Sequence, residues 1–240
     1  MDKQRLLLLS NSTNPGEAYL EYPMQDIKDF LENSSKTALF IPYAAVTFSY
    51  DTYESKVATR FEGLGCRITG IHRFHDPVEA VRNAEVIVVG GGNTWKLVKD
   101  LQDNHLLEEI RKKVKAGTPY IGWSAGSNIA CPTLRTTNDM PIVQPVSFDT
   151  LNLIAFQINP HYTDAHPNGL GGETREDRIN EFITVNPEVY VVGLREGTML
   201  RCEGKSIRLI GNRTARIFKY DKEAVEWSAE GELPFSLSPQ

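Results

Sequence analysis

Little in this chain could build a disulfide framework, a zinc ribbon or a membrane span. Its three cysteines, Cys66, Cys131 and Cys202, are odd in number, far apart and without a CxxC pair, which points to reduced thiols and a cytoplasmic location. The five histidines, His72, His75, His105, His161 and His166, include no HExxH or other paired metal spacing, so no metal is expected. The apolar run near the N-terminus, Leu6 to Leu9, is too short for a signal-peptide core or a membrane span, so no membrane partner is expected. Basic excess is missing too: 26 Lys and Arg stand against 31 Asp and Glu, giving a net charge of −5 with the cations scattered among acids. That excludes the electrostatic footprint of a nucleic-acid-binding protein.

What is present is material for a core. A chain of 240 residues that is 40% hydrophobic is long enough for one well-packed domain, and residues 1–240 read as a single α/β unit. Short runs rich in Val, Ile and Leu recur without strict alternation at Leu6 to Leu9, Ala38 to Pro42, Arg67 to Ile71, Val86 to Val89 and Tyr120 to Gly122. Amphipathic stretches lie between them at Asp26 to Glu32, Tyr50 to Gly63, Pro77 to Asn83 and Thr94 to Lys115. The alternation predicts a mostly parallel sheet with helices on both faces. It continues with strands at Ala155 to Ile158 and Val189 to Leu194 around a helix at Arg175 to Asn186. Ser206 to Ile210, Ala215 to Tyr220 and Ala224 to Trp227 predict C-terminal antiparallel strands at the edge of that sheet. Thr133 to Asp149, polar and interrupted by prolines, predicts a loop over the site.

The strongest chemical signal is Gly122-Trp123-Ser124-Ala125-Gly126, directly after an apolar strand and before a helix-like segment. On such a turn the serine is forced into an exposed, strained position at a helix N-terminus, and the Ala125 N–H is the natural first donor to an oxyanion. GxSxG is frequent by chance, and its flanking elements are what raise it above an ordinary turn. Val88 to Thr94 (VVGGGNT) is a second strand-to-helix junction, where Gly91 or Gly92 can offer the other oxyanion donor. A phosphate or nucleotide cradle on Gly90 to Gly92 is the rival reading. It is weakened by the missing GK[ST] ending and by spacing that does not fit GxGxxG.

A serine hydroxyl needs a base, and histidine titrates in the right range. His72 and His75 follow a strand, His105 falls mid-helix among polar residues, and His161 follows Asn159-Pro160 at the carboxyl end of a strand, where α/β sheets build sites. His161 is therefore the preferred base. The acid that orients it is best sought at Glu196, just past the strand Val189 to Leu194. Asp139 and Asp149 would imitate the usual acid-before-histidine order, and Asp139 is the reserve although it lies in the loop-like region.

LLLLSNST, IVVGGGNT, YIGWSAGSNIACPTLRTTNDMPIV, QINPHYT, GETREDRI and VVGLREG together resemble the peptidase E family of α-aspartyl dipeptidases, which has a class I glutamine amidotransferase-like, flavodoxin-like fold. The resemblance runs over most of the chain. It implies hydrolysis of dipeptides that begin with aspartate, with no cofactor, and it carries the family's triad onto Ser124, His161 and Glu196. It also implies that Arg175 pairs with the side-chain carboxylate of the substrate, a role that a guanidinium fork suits, although Thr174 to Asp177 reads equally as a plain helix start. Amidotransferases of this fold use cysteine where Ser124 stands, and Cys131 lies beyond the turn. Arg195 departs from the family pattern, which has proline there, and puts a cation beside Glu196. A broader serine amidase or esterase, and an anion-binding module, remain as alternatives, and whether two copies form a homodimer is left open.

Overall fold

Four consecutive leucines form an interior strand of the larger of two sheets. The computed structural model describes residues 3–32, 36–164, 171–229, 231 and 233. In chain order the elements are β1 (Arg5–Leu9), α1 (Met24–Phe30), β2 (Lys36–Ile41), α2 (Tyr50–Glu62), β3 (Cys66–Gly70), α3 (Pro77–Asn83), β4 (Val86–Val89), α4 (Thr94–Asp103), α5 (Leu106–Lys115), β5 (Tyr120–Trp123), α6 (Ala125–Asn128), β6 (Gln157–Tyr162), α7 (Arg175–Val185), β7 (Val191–Arg195), β8 (Met199–Glu203), β9 (Ser206–Ile210), β10 (Ala215–Phe218) and β11 (Val225–Trp227).

The larger sheet has the order β3-β2-β4-β5-β1-β8-β9. Its first five strands run parallel, while β8 and β9 are antiparallel additions beside β1. Successive side chains of a strand point to opposite faces, and β1 shows why its run is apolar throughout. Leu6 and Leu8 pack with α3, α4 and α5 on one face, whereas Leu7 and Leu9 pack with α1 and α2 on the other. All four leucines are fully buried.

A second sheet, β11-β10-β7-β6, is mixed, with β6 and β7 parallel and the rest antiparallel. Ile158, Val192, Leu194, Ile217 and Trp227 on one of its faces join the same apolar cluster as Leu6, Leu8 and Ile129. Its other face packs Tyr162, Val191 and Phe218 against Ile179 and Ile183 of α7.

The α/β architecture, mostly parallel with antiparallel edge strands, is present as predicted, but three details differ. Only Ser206 to Ile210 lies at the edge of the main sheet; the last two predicted strands, and those at Ala155 and Val189, build the second sheet. The reason is β8, a strand not anticipated because Arg201 and Glu203 interrupt its apolar pattern: it occupies the free edge of β1 and leaves β6 and β7 to pair elsewhere. The segment Thr94 to Lys115 is two helices, broken where exposed His105 adopts a left-handed φ of 55°. No helix among the described residues is long and apolar enough to cross a membrane.

Truncating Leu8, which is fully buried on β1 between β5 and β8, leaves a cavity in the apolar cluster. Leu8→Ala should lose about 2–5 kcal/mol of stability in urea unfolding, and a loss below about 1 kcal/mol would contradict this packing.

Candidate active site

The GxSxG segment adopts the sharp turn expected of it. β5 ends at Trp123, α6 begins at Ala125, and Ser124 between them has φ 53° and ψ −112°. The turn is tight enough that a Cβ on Gly122 would lie 2.5 Å from the carbonyl oxygen of Gly126. Only glycine fits there. Leu9 O accepts the Ser124 N–H at 3.1 Å, and the Ser127 hydroxyl donates to Leu9 O at 2.6 Å and to Gly122 O at 2.9 Å.

His161 lies near the end of β6, at a register shift between Pro160 and Tyr162, again with a left-handed φ of 55°. Glu196 follows β7 directly. The imidazole bridges the two: Nδ1 is 2.7 Å from Glu196 Oε1, and Nε2 is 2.8 Å from Ser124 Oγ. With the Nδ1–H donated to the carboxylate, Nε2 is the acceptor for the serine hydroxyl. The structure therefore brings together the three residues chosen from strand ends. They do not meet at one sheet edge, however. Ser124 belongs to the larger sheet, and the other two to the second sheet.

The glycine loop lies beside the serine. A Cβ on Gly91 would come within 2.9 Å of Ser124 Cβ, and Gly92 follows at φ 137° against the Ala44 carbonyl. The N–H groups of Gly91, Gly92 and Ala125 have no hydrogen-bond partner among the described residues. Tyr53, which the sequence offered no reason to single out, fixes this loop: its hydroxyl donates to Gly91 O at 2.9 Å and accepts from Trp123 Nε1 at 3.1 Å. Its only sequence signal is membership in the apolar stripe of α2.

Other candidates fall elsewhere. Asp139 does not reach the imidazole. Its carboxylate accepts from the Thr94 N–H at 2.7 Å, from the Thr94 hydroxyl at 2.6 Å and from the Thr137 hydroxyl at 2.9 Å. A carboxylate is favoured at a helix start by the unpaired amides there, so Asp139 fills the position that an anion bound at α4 would take. Asp149 bonds to Ser147. His72 and His75 sit beyond β3, three strands away from β5, and His166 lies outside the described residues. Cys131 is fully buried and burial pushes its thiol up to about 12, which suppresses the thiolate.

Arg175 is the first residue of α7, after the N-cap Thr174 and a capping box with Asp177. Half-buried, it makes no ion pair among the described residues; burial and the charge of Arg178 draw its pKa below the usual arginine value, while Asp139 opposes them. Arg195 turns away from the imidazole. It bonds Asp164 at 2.9 Å, Thr214 O at 2.8 Å and both carboxylate oxygens of Glu226 at 2.8 and 3.0 Å. Those partners raise its pKa and balance its charge. Among the described residues, Asp51, Glu54 and His72 bring three ligand atoms within 4.8 Å of one another. Arg73 already neutralises both carboxylates, at 2.8 and 2.6 Å.

An elbow serine hydrogen-bonded to a histidine on a mostly parallel α/β sheet defines a serine hydrolase. The profile of Peptidase family S51 matches residues 6–210, and the chain belongs to that family; it is a serine peptidase. Peptidase E of Nostoc sp. is 55% identical over 234 residues, covering 98% of this chain and 97% of that protein. Peptidase E of Salmonella paratyphi A is 50% identical over 224 residues, covering 93% and 97%. The solved structure of a peptidase from an acI-B1 Actinobacterium has the same fold, with a TM-score of 0.69 at 17% identity over 98% of each chain.

The Gly91 contact is directly testable. Gly91→Ala should lower peptidase activity roughly 10²-fold by displacing the elbow, with circular dichroism unchanged; full activity would show that the loop can retreat.

Proposed function

We propose that this peptidase is a dipeptidase for substrates with N-terminal aspartate, acting through an acyl-enzyme on Ser124. The observation that carries the proposal is the unbroken chain of hydrogen bonds from the Ser124 hydroxyl through His161 to Glu196, at 2.8 and 2.7 Å. His161 Nε2 takes the serine proton as Oγ bonds to the peptide carbonyl carbon, and Glu196 holds the ring and stabilises the imidazolium that forms. The N–H groups of Ala125 and of Gly91 or Gly92 stabilise the oxyanion, each donor worth about 3–4 kcal/mol in comparable enzymes. Collapse breaks the C–N bond, and the imidazolium passes its proton to the leaving amine. Water, deprotonated by His161, then releases aspartate and restores Ser124.

Arg175 supplies the selectivity in this reading. A half-buried guanidinium without an acidic partner is costly to leave alone, and a substrate carboxylate offsets that cost with a two-pronged bond. The name peptidase E borne by relatives at 50–55% identity supports the same substrate class. Three unpaired, buried cysteines suit a reducing compartment such as the cytoplasm.

Ser124→Ala should reduce Asp-X hydrolysis by roughly 10⁴-fold or more with an unchanged melting temperature; retained turnover removes the serine mechanism. Glu196→Gln should lose about 10³–10⁴-fold in kcat, whereas Asp139→Asn should stay within about tenfold, so the reverse order would hand the orienting role to Asp139. Arg175→Ala should cost about 30-fold or more for Asp-X and erase the preference for Asp over Asn. A preference that survives would show that the carboxylate pocket lies elsewhere.

A further inference from the structure

β1 ends on Leu9, and the next two residues, Ser10 and Asn11, are polar yet only 0% and 2% exposed. Buried polar side chains are there to make hydrogen bonds, and theirs converge on the site from behind. Leu9 O accepts the N–H of Ser124 at 3.1 Å. Ser10 Oγ accepts the N–H of His161 at 2.9 Å and donates to Leu194 O at 2.7 Å, while its own N–H donates to Thr198 O at 3.0 Å. Asn11 Oδ1 accepts the N–H of Gly197, next to Glu196, at 2.8 Å. The Asn11 amide is itself held, its Nδ2 donating at 2.9 Å to both Thr13 O and Asn14 Oδ1.

Three consecutive residues thus grip the backbone of Ser124, of His161 and of the turn that carries Glu196. No β-ladder spans this gap among the described strands: β6 pairs only with β7, and His161 falls at the register shift where the β6–β7 ladder skips a residue. The His161 N–H would otherwise lack a partner. Asn128 crosses the gap too, donating to Ile158 O at 2.9 Å, but does not reach His161 or the Glu196 turn. We propose that Ser10 and Asn11 are positioning residues for hydrolysis, fixing the Ser124–His161 separation and the aim of Glu196 across the junction between the sheets. This rests on the triad reading above.

Geometry of this kind is worth much in rate, because displacing a reacting group by about 1 Å can cost roughly 10²-fold. Ser10→Ala should therefore lower kcat for an Asp-X dipeptide about 10- to 100-fold with KM changed less than about threefold. It should also move the acidic limb of the kcat/KM profile to lower pH, because an imidazolium less well aligned with the Glu196 carboxylate is easier to deprotonate. Asn11→Ala should act in the same direction. Thr150→Val is the matched control: Thr150 is fully buried and its hydroxyl donates to Cys131 O at 2.5 Å, so it loses a similar bond with no link to His161.

If Ser10→Ala and Asn11→Ala keep the kcat and pH profile of Thr150→Val, the clasp is only structural and the proposal is overturned. Should Ser10→Ala fail to fold, Asn11→Ala decides alone by the same comparison. Turnover by Ser124→Ala would instead bring down the triad reading itself, whereas an inactive Ser124→Ala beside control-like clasp variants sinks this proposal only.

Discussion

The 2.8 Å approach of His161 to Ser124 joins two sheets that share no strand. Within a sheet, ladder hydrogen bonds set the distance between neighbouring strands; between sheets, only packing and individual bonds can do so. The apolar cluster that runs from Leu6 and Leu8 through Ile129 to Ile158 and Leu194 holds the sheets together. Apolar packing is non-directional, so it leaves the last few tenths of an ångström to the polar atoms at the end of β1. Asn128 adds to them from the nucleophile side, donating to Ile158 O at 2.9 Å.

Strain gathers at the same place. Ser124 and His161 both occupy left-handed φ values, near 53° and 55°, a conformation costing on the order of 1–3 kcal/mol for residues with a Cβ. Each is held by its surroundings: Ser124 by the glycine turn and Leu9, His161 by the register shift and Ser10. The elbow thrusts the hydroxyl out of the sheet, and the bulge turns the imidazole toward it. The aromatic floor of Phe40, Tyr53 and Trp123, with rings 5.0 to 6.1 Å apart, supports the glycine loop from below.

Charge is sorted around this centre. Asp139 is spent on the start of α4, and Arg195 is enclosed by Asp164 and Glu226, so neither adds a free charge beside the imidazole. Arg175 makes no ion pair among the described residues, and burial and the nearby charge of Arg178 draw its pKa below the usual arginine value. The acidic composition of the whole chain is no guide to such a local balance.

Sequence alone was enough for the local pieces. The apolar runs marked the parallel strands because a strand buried on both faces must be apolar throughout, and GxSxG marked the elbow because only glycine tolerates the 2.5 Å approach at Gly122. Residue type and position at a strand end pointed to His161 and Glu196, whose side chains the structure joins at 2.7 Å, with Asp139 kept in reserve. Tertiary structure decided everything that depends on which strands pair. β8 occupies the edge of β1 while β6 and β7 lie in a second sheet. The folded chain also placed Asp139 at the start of α4, Arg195 between Asp164 and Glu226, Tyr53 against the glycine loop, and Ser10 and Asn11 behind the site. Periodicity in a sequence records which face of an element is buried; it carries no record of which partner across the fold will receive a hydrogen bond, because that depends on distances set by residues far away in the chain.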